Sequence, residues 1–303
     1  MKSIKLTNQQ KKLEEYLRQH YTKSTVQSYY RHIMIYLKEQ PEAKTSNYKD
    51  VVSYLWQLRK KYTNSDTVKT ILNAIKKYYE YLLFTRQRSD HPCRSLNIKD
   101  KRSKDIQIQD LLNEASLESL LYFKRKGCKS VLDIRNKSIL SLLIYQGLTK
   151  GEVTHLTTGD LNLERGSIYI KSGVASNSRT LELNSNQVLL LYNYVNNVRP
   201  KLLLNNINPI ETDILFITIY GFPDSKGVSI KHLLENIEKQ GGIKAHTRLI
   251  RKSVIALKLK KGNDIRMVQS FAGHKNASST ERYKNTDIEE LKQGIQKYHP
   301  LNS

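Results

Sequence analysis

Apolar residues recur at intervals of three and four along the first hundred positions. In VVSYLWQLRK (51–60) they are Val51, Val52, Leu55 and Leu58; in TVKTILNAIKKYYEYLL (67–83) they are Val68, Ile71, Leu72, Ile75, Tyr78, Tyr79 and Leu82. Side chains so spaced share one face of an α-helix, so each stretch predicts a helix with a single stripe to bury. The turns TKST and NSD between such stretches hold Ser and Asp, which satisfy the orphan N–H groups of a helix start. Roughly four packed helices follow from this pattern. The stripes are core, which leaves function to the polar faces, where Arg59, Lys60, Lys61, Lys69, Lys76 and Lys77 lie.

From 90 to 110 the periodicity fails: Pro92 interrupts helix geometry and KDKRSKD is too polar to pack. This divides the chain into a helical domain at 1–95, a basic linker at 96–108 and a second domain at 109–303. The linker reads either as a solvated loop or as a strap lying along a polyanion. Beyond it, SLESLLYFKRKG and LDIRNKSILSLLIYQG read as helices, the latter with Ile134, Ile139, Leu142 and Leu143 inward. The period then changes to two. Ile168 and Ile170 alternate with Tyr169 and Lys171, a Ser/Gly/Asn cluster follows, and Leu181 and Leu183 alternate again, which predicts a β-hairpin over 167–184. Helices resume at NQVLLLYNYVNNV and SIKHLLENIEKQ and continue to the end, with Gly262 and Gly273 as stops. The fold class is therefore mainly α with a small antiparallel β-sheet.

Charge narrows the partner. The chain carries 51 Lys+Arg against 28 Asp+Glu, a formal charge of +23, in 303 residues of which 38% are hydrophobic. That is enough apolar content for one or two cores, and the cationic excess suits nucleic acid. No single amphipathic basic helix concentrates the charge for a membrane, and the longest apolar run, ILSLLIYQGL, is far short of the ~20 residues of a span. Cys93 and Cys128 form no CxxC pair and no disulfide framework. With no signal-type run at the N-terminus, a soluble, cytoplasmic protein without metal or other cofactor is expected.

Several blocks stand in one order: RNKSILSLLIYQGLTKGEVTHLTTGDL (135–161), the hairpin, RLIRKSVIALKLKKGNDIRMVQSFAGH (248–274) and STERY (279–283). Together they resemble the catalytic domain of the tyrosine recombinases, the phage integrase and Xer-like family. TKSTVQSYYRHIMIYL and SDTVKTILNAIKKYYEYL resemble the first and last helices of that family's core-binding domain. The resemblance implies an N-terminal helical core-binding domain and an α+β catalytic domain. It also implies double-stranded DNA with inverted core sites as partner, assembly of dimers to tetramers on DNA, and use of a second recombinase in some systems. The reaction implied is cutting and rejoining through a 3′-phosphotyrosyl link.

The resemblance also assigns roles. Tyr283, nine residues after the Gly-His step, matches the nucleophile, and His274 a hydrogen-bond donor to the phosphate. Arg251 matches the second catalytic arginine, whose planar fork grips two phosphate oxygens. Arg248 stands where the family has histidine, and Thr149 where it has the first arginine, in QGLTKGE. Losing one such donor typically costs ~3–4 kcal/mol, or ~100- to 1,000-fold in rate. Lys150 is the neighbouring cation expected to stand in, and Lys171 the candidate that protonates the leaving oxygen. Lys69, Lys76, Lys77, Arg179 and Lys252 are expected DNA contacts; the bland alternative for such residues, and for Arg248, is a solvated face. The tail has a capping-box pattern, Thr286 with Glu289, and predicts a helix over 287–298 that docks on a neighbouring protomer or on its own domain. Thr149 and Arg248 keep a rival open, a recombinase-like DNA-binding accessory protein without strand transfer; a third reading is a type IB-like topoisomerase, nicking and resealing without synapsis.

Overall fold

The computed structural model describes residues 8–100, 110–123, 130–173, 176–208 and 211–283. The chain forms two compact units, Met1–Ser103 and Lys104–Ser303.

Four helices build the first unit: α1 (Asn8–His20), α2 (Lys23–Glu39), α3 (Tyr48–Lys61) and α4 (Ser65–Phe84). Asn47 starts α3 in a reciprocal cap with Asp50, and Asn64 starts α4 by accepting from the Asp66 amide. α4 packs on the other three and buries the expected stripe from Val68 to Leu82. In α3, Val51, Leu55 and Leu58 are buried with Tyr54, whereas Val52, expected inward, is exposed because it lies one step round the helix from the stripe. Residues 96–100 were expected to open the linker. In the structure they touch the first unit: Leu96 and Ile98 pack on its core, and Asp100 pairs with Arg59 at 2.9 Å.

The second unit wraps α6 (Ser130–Tyr145), whose Ile139, Leu140, Leu142 and Leu143 are fully buried against α5 (Glu114–Tyr122) and later helices. After the short α7 (Lys150–His155) comes an antiparallel sheet of β1 (Leu161–Asn162), β2 (Ser167–Ile170) and β3 (Arg179–Glu182) in the order β1-β2-β3. Ile168 lies opposite Leu181 and Ile170 opposite Arg179. Because successive side chains alternate faces, Ile168, Ile170, Arg179 and Leu181 all point inward. α8 (Ser185–Asn193) continues through a π-helical segment, Tyr194–Val198, into α9 (Arg199–Leu203). Among the described residues, four further helices follow: α10 (Val228–Gly241), α11 (Thr247–Lys260), α12 (Ile265–Ala272) and α13 (Ser278–Glu281). Gly262 and Gly273 follow α11 and α12 with φ of +81° and +66°, the left-handed conformation that ends a helix. The predicted helix at 287–298 and linker residues 101–108 lie outside the described residues. No described helix is long and apolar enough to cross a membrane.

Candidate active site

The site gathers at the ends of α7, β3, α11, α12 and α13. Glu152 is its centre. As third residue of α7 it closes a reciprocal cap with Thr149: its Oε2 accepts from the Thr149 amide at 2.7 Å and hydroxyl at 3.0 Å, while its own amide donates back to Thr149 Oγ1. Its Oε1 accepts from Arg179 Nη1 at 2.7 Å, and Arg251 Nη1 stands 3.7 Å from Oε2. The carboxylate thus sits between two guanidinium groups, all three side chains nearly withdrawn from water at 8%, 4% and 11% exposure for Glu152, Arg179 and Arg251. Burial works to raise the Glu152 carboxyl, but Arg179, the Thr149 amide and Arg251 together hold it below the ordinary range.

Arg251 is one turn inside α11. It is clamped by the carbonyl of Gly147, 2.7 Å from Nη1, and by that of Ala272, which accepts from Nη2. The α6–α7 turn and the end of α12 therefore converge on one guanidinium. His274 follows the Gly273 stop, its Nδ1 2.8 Å from Thr280 Oγ1. Burial, then the charges of Arg251 and Arg179, push its pKa down to about 4, so the imidazole is neutral near pH 7.

Tyr283 ends the turn after α13, its amide bonded to the Thr280 carbonyl, and its side chain is buried at 6% exposure against Ile255, Val268 and Ala272. Burial raises its hydroxyl pKa; Arg251, Arg248 and Arg282 work in the opposite direction. A buried tyrosine beside cations, with a neutral imidazole at hand, is an arrangement that accepts an anionic ester and favours attack upon it.

Residues 110–290, well over half the chain, match the family model described as Phage integrase family. The chain belongs to that family of tyrosine recombinases. It is 28% identical to tyrosine recombinase XerD of Oceanobacillus iheyensis over 287 residues, covering 91% of this chain and 92% of the relative. With XerD of Staphylococcus aureus strain Mu50 the identity is 24% over 243 residues, 78% of this chain and 77% of the other. Two solved structures share the fold. The Tn1549 transposon integrase in complex with transposon right end DNA has a TM-score of 0.66 at 16% identity, over 94% of this chain and 98% of that one. The XerH site-specific recombinase bound to difH substrate has 0.64 at 19%, over 88% and 78%.

In this integrase-family chain, Tyr283, Arg251 and His274 come together, and Arg248 lies near enough for its charge to act on Tyr283. Lys150 does not join them. A Cβ added to Gly227 would meet Lys150 Cε at 2.3 Å, so the lysine stem runs toward the start of α10. Thr154, one turn on, lines the same spot, whereas Glu152 is two residues away and faces the other side of α7. Lys171, on the strand end, is exposed and pairs with Asp160 at 3.2 Å. Lys252 is half-buried on α11 beside Arg251.

The three first-unit lysines expected to touch DNA are engaged within the chain. Lys69 donates to the Asp100 carbonyl, Lys76 to that of Arg94, and Lys77 to the Glu80 carboxylate, each within 3.0 Å. Arg179, an expected DNA contact, is buried against Glu152 because it shares the inward face with Leu181. Sequence reasoning missed Arg282, whose only signal is its place next to Tyr283, and the inward direction of Arg179, whose signal is its alternation with Leu181 and Leu183.

Proposed function

We propose that the chain is a site-specific DNA recombinase that cuts and rejoins strands through a phosphotyrosyl link at Tyr283. The tyrosine oxygen attacks the phosphorus, the P–O5′ bond breaks, and the products are a 3′-phosphotyrosyl ester and a free 5′-hydroxyl. The tyrosine gives up one proton and the leaving oxygen takes one, so the step is proton-neutral overall. Reversal with a different 5′-hydroxyl rejoins the strands. The observation that carries this reading is the placement of Tyr283: its side chain is buried against Ala272, whose carbonyl accepts from Arg251, and the charges of Arg251, Arg248 and Arg282 act on its hydroxyl. Arg251, held at both ends by carbonyls, meets developing phosphoryl charge without reorganising. His274 donates to the phosphate as a neutral ring. Lys171 reaches the leaving oxygen once released from Asp160.

The partner is double-stranded DNA with paired inverted sites, engaged by copies of the chain as a dimer or tetramer, alone or with a second recombinase. The DNA-bound state of XerH and of the Tn1549 integrase supports that partner. Thr149 and Arg248, at positions where the family has Arg and His, favour a second reading, a DNA-binding accessory protein without strand transfer.

The test is covalent trapping on a nicked suicide duplex selected from a randomised pool. A protein–DNA adduct from the natural chain, lost in Tyr283→Phe with binding within about twofold, is the expected result. Tight binding with no adduct gives the accessory reading. A paired-site duplex then separates strand exchange from nicking and resealing on single sites.

A further inference from the structure

The position that should carry the family's first arginine holds Thr149, and its hydroxyl proton is taken up in the cap with Glu152. A second guanidinium nevertheless occupies the site. We propose that Arg179 supplies to the scissile phosphate the guanidinium that Thr149 lacks; this rests on the reading above, in which a phosphate docks among Arg251, His274 and Tyr283.

Arg179 reaches Glu152 from β3, on the carboxylate oxygen opposite the one near Arg251, so two guanidinium groups bracket one carboxylate. Both arginines depress the same imidazole, that of His274, which places both charges at the phosphate-side group. Glu152 takes only Nη1. The remaining edge, Nε and Nη2, is buried and has no hydrogen-bond partner among the described residues. Buried donors without acceptors are unfavourable, and a charged one more so than a neutral one. That edge is also the parallel two-donor fork that binds two oxygens of a phosphate at once. Glu152 therefore orients the arginine by one nitrogen and leaves the bidentate edge for a ligand.

Glycine at 273 makes room for this. A Cβ there would lie 2.5 Å from Arg179 Nη1 and 3.1 Å from Cζ, and the residue has φ of +66° besides. The end of the hairpin lies against this step: the Asn177 amide donates to the Gly273 carbonyl at 2.9 Å, and Ser176 bridges to His274. Phosphate entry parts the hairpin from the Gly273–His274 step and gives the fork its acceptors. Arg179 thus acts from a strand in a role that a helix start fills elsewhere in the family.

The experiment uses the full chain and the selected duplex. In the Tyr283→Phe background, where no bond is cut, Arg179→Ala is expected to reduce the slope of log K against log salt by ~0.9, the value of one phosphate contact. In the Tyr283 chain, Arg179→Ala is expected to slow adduct formation ~100-fold or more. Replacing a charged non-bridging oxygen at the mapped cleavage position with methyl removes the charge that Arg179 meets, so on that methylphosphonate duplex the defect should shrink to about tenfold or less. Thr149→Arg added to Arg179→Ala should recover cleavage by returning a guanidinium from the other side of Glu152. An unchanged salt slope, or an equal defect on both duplexes, overturns the proposal and leaves Arg179 as a brace for Glu152. Should Arg179→Ala lose its native circular dichroism, Arg179→Lys takes its place in the methylphosphonate comparison, since it keeps the charge and loses the fork. If the natural chain forms no adduct, the strand-transfer reading falls, while the salt slope still decides the phosphate contact.

Discussion

Tyr79 in the first unit and Tyr283 in the second are both buried tyrosines, yet their hydroxyls are placed for opposite ends. Tyr79 Oη donates to the Ala43 carbonyl at 2.9 Å and meets the Tyr36 hydroxyl at 2.7 Å. Burial and the Tyr36 contact both push its pKa far above the ordinary value. The tilted and edge-on rings of Tyr36, Tyr54, Tyr78 and Tyr79 make this a packing device, in which the Tyr36 and Tyr79 hydroxyls meet inside the core. At Tyr283 burial raises the pKa too, but three arginines oppose it. Both hydroxyl pKa values are raised by depth; what sets Tyr283 apart, and what the proposed nucleophile role rests on, is the cationic surroundings of its oxygen.

The sharpest way to break that contrast is to remove each hydroxyl. Tyr283→Phe should abolish adduct formation on a nicked duplex and leave urea unfolding of the second unit little changed. Tyr79→Phe should leave adduct formation intact but destabilise the first unit by ~1–3 kcal/mol, because the Ala43 carbonyl loses its donor in a dry core. An adduct from Tyr283→Phe would erase the distinction.

Next in size is an arginine from each region. Arg251→Ala removes the donor proposed to meet the phosphate and is expected to lower the cleavage rate ~100- to 1,000-fold. Arg251→Lys should recover little of it, since a point charge does not span the carbonyls of Gly147 and Ala272. Arg88, over the Tyr79 ring and paired with Asp90, is the matching cation of the first unit. Arg88→Ala should leave single-turnover cleavage unchanged. If the two variants cleave alike, the cation field at Tyr283 is not what sets the site apart.

Acid sharpens the comparison further. His274 has a folded pKa of about 4, below the ordinary 6.5, through burial and then Arg251 and Arg179. The neutral ring is favoured by folding, so its contribution to stability is complete above about 6.5 and drains away as pH falls toward about 4. Glu152, also depressed, adds a loss at lower pH still, as its carboxylate is protonated. His91 of the first unit is lowered by burial as well, against the Tyr79 ring. Urea midpoints measured from neutral pH down to about 4 should fall less steeply in His274→Gln than in the natural chain. Equal slopes would mean that the ring is already charged in the fold.

How much of this was legible in the sequence differs by region for a physical reason. A helix is a local object, so the stripe from Val68 to Leu82 announces both α4 and its buried face. Only the phase of α3 was misjudged, at Val52. β1 has two residues and no period to read. In the site, spacing and family pattern single out Tyr283, His274 and Arg251, and the structure brings these three side chains close together from α11 and the turns after α12 and α13. The direction of Arg179 was available in its alternation with Leu181, but a charge on a strand reads as outward unless its counter-charge is known. That counter-charge, Glu152, and the clearance at Gly273 come from segments remote in sequence. Lys150 is the reverse case: adjacency to Thr149 suggests a role that helix geometry denies.

The smallest expected effect is therefore at Lys150. Its stem leans on Gly227, on the face of α7 opposite Glu152, and its removal takes no group away from Arg251, His274 or Tyr283. Lys150→Ala should change the cleavage rate by less than about twofold, below ~0.5 kcal/mol. Thr149→Ala, one residue away, should do more. It deletes the hydroxyl that caps α7 and touches Glu152 Oε2, a loss of ~1 kcal/mol in stability, and it frees the carboxylate that orients Arg179. Measured side by side in single-turnover cleavage and urea unfolding, the pair tests which face of this turn serves the chemistry. A larger rate loss from Lys150→Ala than from Thr149→Ala would put the phosphate on the Gly227 side, and with it the second guanidinium would have to be sought away from Arg179.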